Sequence, residues 1–178
     1  QSEQNVVVEI PELKSKVTVR TDKDGYASFE MKVKPQYWCP ENPKLYDFEI
    51  STDSGDKIKS YFGVRSFGIG KDENGIARLL LNGKPYFFRG ICEHCYHPIT
   101  VHPTRDKNYY RRVLRILKEL GFNSIRFHTW VPPMEYMEAA DTLGMVLEIE
   151  TPNNTTDAEW QEIVRCCRRF ASVNLYST

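Results

Sequence analysis

The 178 residues hold 24 Lys and Arg against 24 Asp and Glu, a balance that excludes the positive field of a general nucleic-acid or anionic-membrane binder and suits a neutral ligand. Apolar residues at 40% and charged residues at 27% exclude a disordered chain. No apolar run approaches the ~20 residues that span a bilayer, the polar start Gln1-Ser2-Glu3-Gln4 is no signal peptide, and five irregularly spaced cysteines read as thiols rather than as a disulfide framework.

From Asn5 to about Gly70 the pattern is one of short β-type runs. Val6 to Ile10, Val17 to Val19, Ala27 to Val33, Tyr46 to Ile50 and Ile58 to Val64 are rich in alternating apolar residues, with turn signals at Asp22-Lys23-Asp24-Gly25 and Asp53-Ser54-Gly55. Antiparallel strands in about seventy residues predict an immunoglobulin-like β-sandwich over residues 1–70, incomplete for want of a strand. Asn82-Gly83, between two apolar runs, predicts a tight type I′ hairpin turn, because both residues tolerate positive φ.

Beyond the hairpin the period changes. Tyr86 to Ile91 predicts a strand, and Asp106 to Leu120 a helix with Tyr110, Val113, Leu114, Leu117 and Leu120 at helical spacing, closed by Gly121. Ser124 to Phe127 predicts a strand, Pro132-Pro133 opens a helix through Leu143, and Gly144 stands where a C-terminal cap belongs. Met145 to Glu150, Asp157 to Phe170 and Val173 to Ser177 repeat strand, helix and strand. Such alternation predicts a parallel sheet with right-handed crossovers. With no Gly-x-Gly-x-x-Gly and no phosphate loop after any strand, the first half of a (β/α)8 TIM barrel over residues 71–178 is favoured over a nucleotide-binding open sheet.

In such a barrel the chemistry collects at the C-terminal ends of the strands. There this chain carries Cys92-Glu93-His94-Cys95-Tyr96-His97-Pro98, His128-Thr129-Trp130-Val131-Pro132 and Glu148-Ile149-Glu150-Thr151-Pro152, with all four histidines in or near these segments. Phe62-Gly63-Val64-Arg65, Leu81-Asn82-Gly83-Lys84-Pro85, Arg89-Gly90 followed by His94, Gly121-Phe122-Asn123-Ser124-Ile125-Arg126 and Ala140-Asp141-Thr142-Leu143-Gly144-Met145 follow one another with the order and spacing of family 2 glycoside hydrolases. The chain resembles that family, of β-galactosidase and β-glucuronidase type, over nearly its whole length. Arg126-Phe127-His128-Thr129-Trp130 is closer to a divergent branch than to the best-known galactosidases.

The resemblance implies retaining hydrolysis of a terminal β-linked sugar of galactoside, glucuronide or mannoside type. Retention needs two carboxyl groups about 5 Å apart, one acid/base and one nucleophile. The family's acid/base lies in a Gly-Asn-Glu directly after the fourth strand and its nucleophile after the seventh, so both are expected past Thr178 and no residue here is assigned either role. By the same match His94 reaches a sugar hydroxyl or the acid/base neighbourhood, Arg126 braces the nucleophile carboxylate, and Glu150 lines the barrel top. Trp130 offers a face to a sugar ring, and Thr129 falls where better-known members carry a histidine. Two positions depart from the pattern: Cys92 and Glu93 replace the asparagine before the first-loop histidine, and Phe170-Ala171 replaces a His-Pro before the fourth strand.

Other readings compete with these. Arg126 at a strand end can instead pair with Glu148, Trp130 can pack beneath the next helix, and His97 and His102 read as loop surface. Cys92, His94, Cys95 and His97 have the ligand types of a zinc site, at a spacing no structural zinc motif shares, and no metal is expected here. Magnesium or sodium, found in some family members, lacks a complete ligand set. The expected partner is a carbohydrate substrate, not nucleic acid or membrane, with a homo-oligomeric parent allowed and the compartment left open. A non-catalytic carbohydrate-binding or scaffold relic is the alternative function. Without either glutamate the chain by itself is expected to be inactive, and because four parallel strands cannot close a barrel, their unpaired edges predict a chain prone to association.

Overall fold

The computed structural model describes residues 3–177. Two compact units emerge, one from Gln1–Gln36 with Leu45–Phe62 and the other from Tyr37–Lys44 with Gly63–Thr178. In the first, β1 (Asn5–Ile10), β2 (Ser15–Arg20), β3 (Tyr46–Thr52) and β4 (Lys57–Phe62) form one antiparallel sheet in the order β2-β1-β3-β4. Val8, Ile10 and Tyr46 are its buried side chains, and Tyr46 stacks on Phe62 with ring centroids 5.7 Å apart. This is one sheet of the predicted sandwich. Ala27 to Val33, predicted as a strand, joins no ladder among the described residues. Its alternation survives as half-buried Met31 and Val33 between exposed neighbours, but a strand also requires a partner edge, which no local pattern supplies.

In the second unit, β5 (Phe67–Lys71), β6 (Ala77–Leu81) and β7 (Lys84–Pro85) make a small antiparallel sheet. Asn82 and Gly83 both take positive φ, 53° and 76°, as a type I′ turn demands. The Asn82 side chain also tethers the turn, its amide donating to the Trp38 carbonyl at 2.9 Å and its oxygen accepting from the Ser66 amide at 3.0 Å.

Then come β8 (Gly90–Glu93), α1 (Lys107–Glu119), β9 (Ser124–Phe127), α2 (Met134–Leu143), β10 (Val146–Glu150), α3 (Asp157–Cys167) and β11 (Val173–Ser177). The four strands are parallel and lie side by side in chain order. Doubly wound sheets reverse their strand order; a barrel does not, so the winding is that of a barrel half. The first strand starts later than predicted. Residues 86–88 join no parallel ladder: the Tyr86 amide donates to the Leu79 carbonyl of β6 at 2.9 Å, and the Asn123 side chain occupies the rest of the stretch, accepting from the Arg89 amide at 2.7 Å and donating to the Phe87 carbonyl at 3.0 Å. Cys92 and Glu93, expected in the following loop, therefore lie on β8.

Caps fix the helices. Asp106 accepts from the Asn108 amide at 2.9 Å to start α1, and Thr156 with Glu159 forms a capping box on α3. Gly144 ends α2 at φ 75°, with Pro40 so near that an added Cβ would lie 2.4 Å from its carbonyl oxygen. Lys118 Nζ donates to the carbonyls of Pro40, Leu143 and Gly144, a cation placed on the negative end of α2.

The strands bury one face under the helices. Ile125, Phe127, Leu147, Ile149 and Val173 pack with Tyr110 and Leu114 of α1, Tyr136, Met137, Ala139 and Ala140 of α2 and Cys167 of α3. Tyr110 and Tyr136 stack with centroids 4.3 Å apart, and the Tyr110 hydroxyl donates to the Thr104 carbonyl at 2.6 Å. Phe170 and Ala171, which stand in place of the family's His-Pro, are buried. No helix among the described residues is long and apolar enough to cross a membrane.

Candidate active site

Period-two alternation turns every second residue of the parallel strands away from the helices. Register aligns Gly90, Ser124 and Val146 in one row and Cys92, Arg126, Glu148 and Leu175 in the next, with Glu150 beside Ser177 above them. The lower rows, with Leu79 and Phe88, line a groove of about 350 Å³. This open face is graded: apolar and small side chains lie at the N-terminal ends of the strands, charged ones at the C-terminal ends. At Gly90 an added Cβ would sit 2.8 Å from Ser124 Oγ, so a larger residue there requires the Ser124 hydroxyl to turn away.

Glu150, at the end of β10, is the centre of the polar end. Its Oε2 accepts from Arg126 Nε at 2.8 Å and is ion-paired with Nη2 at the same distance, and His128 Nδ1 lies 3.0 Å from each carboxylate oxygen. An ionised carboxylate only accepts, so Nδ1 carries the hydrogen and Nε2 is the free ring nitrogen. The hydrogen bond from His128 first, then those of Arg126, hold the Glu150 carboxyl below its ordinary range, against the opposing effect of desolvation. Arg126 comes within 3.9 Å of Glu148, whose Oε1 is joined to the Ser177 hydroxyl by a short hydrogen bond. The guanidinium thus meets both acids, and its close partner is Glu150 rather than Glu148, the partner named in the competing reading.

Glu150, Arg126 and His94 all belong to this end of the sheet, but their surroundings differ. The Glu150 side chain is 9% exposed and that of Arg126 48%. The exposed His94 touches the cluster through His128, the rings edge to face with centroids 5.2 Å apart. Half-buried Thr129 follows His128 through a cis peptide bond. Trp130 packs edge to face on Phe127 at 5.3 Å, and its indole N–H points at the Glu93 carbonyl 3.4 Å away, so most of the ring leans on the core. His97, expected at the loop surface, is half-buried against Trp130 at 6.2 Å, with its Nε2 unpaired. His102 is exposed.

His128 was not singled out by sequence, although a signal existed. It stands two residues after Arg126, which on a strand continuing to the next ladder bond is the same face. The His128 amide does make that bond, donating to the Glu93 carbonyl at 2.8 Å. Among the described residues no group of three or more His, Cys, Asp or Glu is arranged to hold a metal ion.

The sequence and the fold have known counterparts. The sequence model for glycosyl hydrolases family 2 matches residues 2–68, and that for the family's TIM barrel domain matches residues 74–174. The chain belongs to glycosyl hydrolase family 2. A β-galactosidase of Leuconostoc mesenteroides is 30% identical over 129 residues, which are 72% of this chain and 12% of that protein. One of Kluyveromyces lactis is 28% identical over 134 residues, again 12% of its length. The family 2 chain described here therefore spans about an eighth of the β-galactosidases it matches. A family 2 β-galacturonidase from Eisenbergiella tayi superposes on 98% of this chain and 34% of its own, with a TM-score of 0.75 and 20% identity. Bacteroides uniformis β-glucuronidase 3 superposes on 99% of this chain and 24% of its own, with a TM-score of 0.72 and 23% identity. At those identities the structures carry the fold: a β domain followed by a TIM barrel, as the sequence pattern predicted.

Several stretches that carried the resemblance serve the scaffold. Arg65 donates to Asn174 Oδ1 at 3.2 Å and to the carbonyls of Phe170 and Val173 at 3.2 and 2.9 Å, fixing the entry to β11. Asp141, fully buried, accepts from the Ser172 amide at 2.7 Å. Asn82, Asn123 and Gly144 shape turns and ends. Of the residues quoted for the family, His94 and Arg126 face the open end.

Proposed function

We propose that the chain is part of a retaining β-glycosidase that removes terminal β-linked sugars, of galactoside type first, with its two catalytic glutamates outside these 178 residues. In this reading the strand ends present here hold and orient the reacting groups. The observation that carries it is the Arg126–Glu150–His128 cluster at the ends of adjacent parallel strands in a family 2 chain, with Arg126 Nε and Nη2 both 2.8 Å from Glu150. A guanidinium so braced keeps its remaining N–H groups aimed at one place, where a further carboxylate, such as the family's nucleophile, gains charge-assisted hydrogen bonds. His94 lies at the same mouth and meets a sugar hydroxyl, while Trp130 shapes the wall beneath it. The reported relatives support the galactoside choice, since the β-galactosidase of L. mesenteroides is 30% identical.

The test uses the full-length protein and a panel of aryl β-galactosides, glucuronides, galacturonides and mannosides. Hydrolysis with retained anomeric configuration is expected, fastest on the galactoside. Arg126→Ala should lower kcat/KM at least about a hundredfold, and Arg126→Lys should not restore it, because an ammonium lacks the planar fork. A folded protein that binds these sugars without turnover would instead make it a carbohydrate-binding relic, and wild-type rates in Arg126→Ala would remove the assigned role.

A further inference from the structure

His128 so far only holds Glu150, and its geometry gives it a further role. We infer that His128 is a specificity-determining residue whose Nε2, presented by the Glu150 clamp on Nδ1, accepts a hydrogen bond from one non-anomeric hydroxyl of the bound sugar. The inference rests on the glycosidase reading and adds the residue that tells one sugar from another.

Glu150 fixes both the rotation and the tautomer of the ring, because Nδ1 sits 3.0 Å from each carboxylate oxygen. A histidine needed only to satisfy a buried acid would be enclosed with it. Here the acid's side chain is 9% exposed and the imidazole 43%, so the clamp is inside and the ring is outside. The ring is not among the residues of the hydrophobic core and touches His94 edge to face, which places two imidazoles at the ends of adjacent strands. In the neutral ring the nitrogen opposite a donating Nδ1 carries a lone pair and accepts. The chemistry it suits is a hydroxyl rather than a carboxylate: Glu148 and Glu150 outnumber Arg126 on the open face, and the guanidinium is shared between Glu150 and the carboxylate it is proposed to brace. A carboxylate–imidazole pair of this kind also costs the ligand little ordering, since the acceptor is held before the sugar arrives.

The experiment compares the preferred aryl β-glycoside with its 2-, 3-, 4- and 6-deoxy analogues in the full-length protein. In the wild type, loss of the contacted hydroxyl should lower kcat/KM roughly tenfold or more. In His128→Ala the parent should slow by about the same factor while that one deoxy analogue keeps its wild-type rate, so the penalty at a single position vanishes. His128→Gln, whose side-chain oxygen can accept, should recover part of it. Equal slowing of the parent and all four analogues would overturn the inference and leave His128 as a support for Glu150. If the wild type hydrolyses no glycoside, the glycosidase reading fails, and His128 is read directly by imidazole ¹⁵N spectra during titration with galactose. A shift of Nε2 with Nδ1 unchanged then supports the contact, and no shift up to saturating sugar ends it.

Discussion

The parallel sheet has two faces built from the same strands, and they obey different rules. On the helix-covered face Ile125, Phe127, Leu147, Ile149 and Val173 are at most 1% exposed and touch other apolar side chains. One residue away on β9 and β10, Arg126, Glu148 and Glu150 face the open side, where Arg126 pairs with Glu150 at 2.8 Å and lies 3.9 Å from Glu148. Burial stabilises the first face in proportion to area removed from water. On the second, paired charges contribute little at an exposed site, and the arrangement is better explained by what it orients. On β9 and β10 alternation is therefore enough to separate scaffold from chemistry, whereas on β11 a register shift leaves Val173 in the core and Leu175 on the open face.

The largest effect should come from breaking the covered face. Phe127 is fully buried between Trp130 and Tyr136, with ring centroids 5.3 and 5.0 Å away. Phe127→Ala should cost roughly 3–5 kcal/mol, as transfer energy and as a cavity its rigid neighbours cannot fill. Chemical denaturation of the full-length protein, followed by tryptophan fluorescence, would read it. A loss within 1 kcal/mol, on the order of a surface change, would mean that the face is not packed as described.

A smaller effect sharpens the comparison from the other side. The Glu150 carboxyl is held below its ordinary range in the folded protein, chiefly by the His128 hydrogen bond, so its ionised form is favoured by folding. A depressed folded pKa gives stability that is complete above the unfolded value of about 4.3 and is lost as pH falls through the lower, folded value. Melting temperature should therefore fall less steeply with acidification below about pH 4.5 in Glu150→Gln than in the wild type. Parallel slopes in the two proteins would show that the cluster is not coupled to folding.

Legibility differed by how local each feature is. The three helices were read from apolar spacing, with Gly121, Pro132-Pro133 and Gly144 as end signals, because such signals act within one turn; the caps at Asp106 and Thr156 were supplied by the structure. Asn82-Gly83 was read as a type I′ turn for the same reason. Ala27 to Val33 misled, since alternation reports a side-chain period and not a hydrogen-bonded neighbour. The start of β8 moved because Asn123, more than thirty residues on in the chain, takes the backbone groups of residues 87 and 89. At the site, Arg126 and Glu150 were legible as ends of strands. Their contact, and the clamp on His128, depend on a register between β9 and β10 that no single strand encodes.

The smallest perturbation reads both faces at once, through two thiols. Cys92 is exposed on the open face, in register with Arg126, while Cys167 is fully buried under the sheet. Burial, with a minor contribution from Cys166, pushes the Cys167 thiol up to about 11. Since only the thiolate attacks a maleimide, Cys167 is protected twice, by access and by the scarcity of thiolate at neutral pH. Brief labelling at pH 7 followed by peptide mass spectrometry should modify Cys92 on the order of a hundredfold faster, with Cys167 reacting only when denaturant opens the sheet. Cys92→Ser should shift stability by no more than about 0.5 kcal/mol, because the side chain is exposed. Equal labelling of the two thiols in the native protein would place Cys167 outside the core and, with it, the helix-covered face that α3 completes.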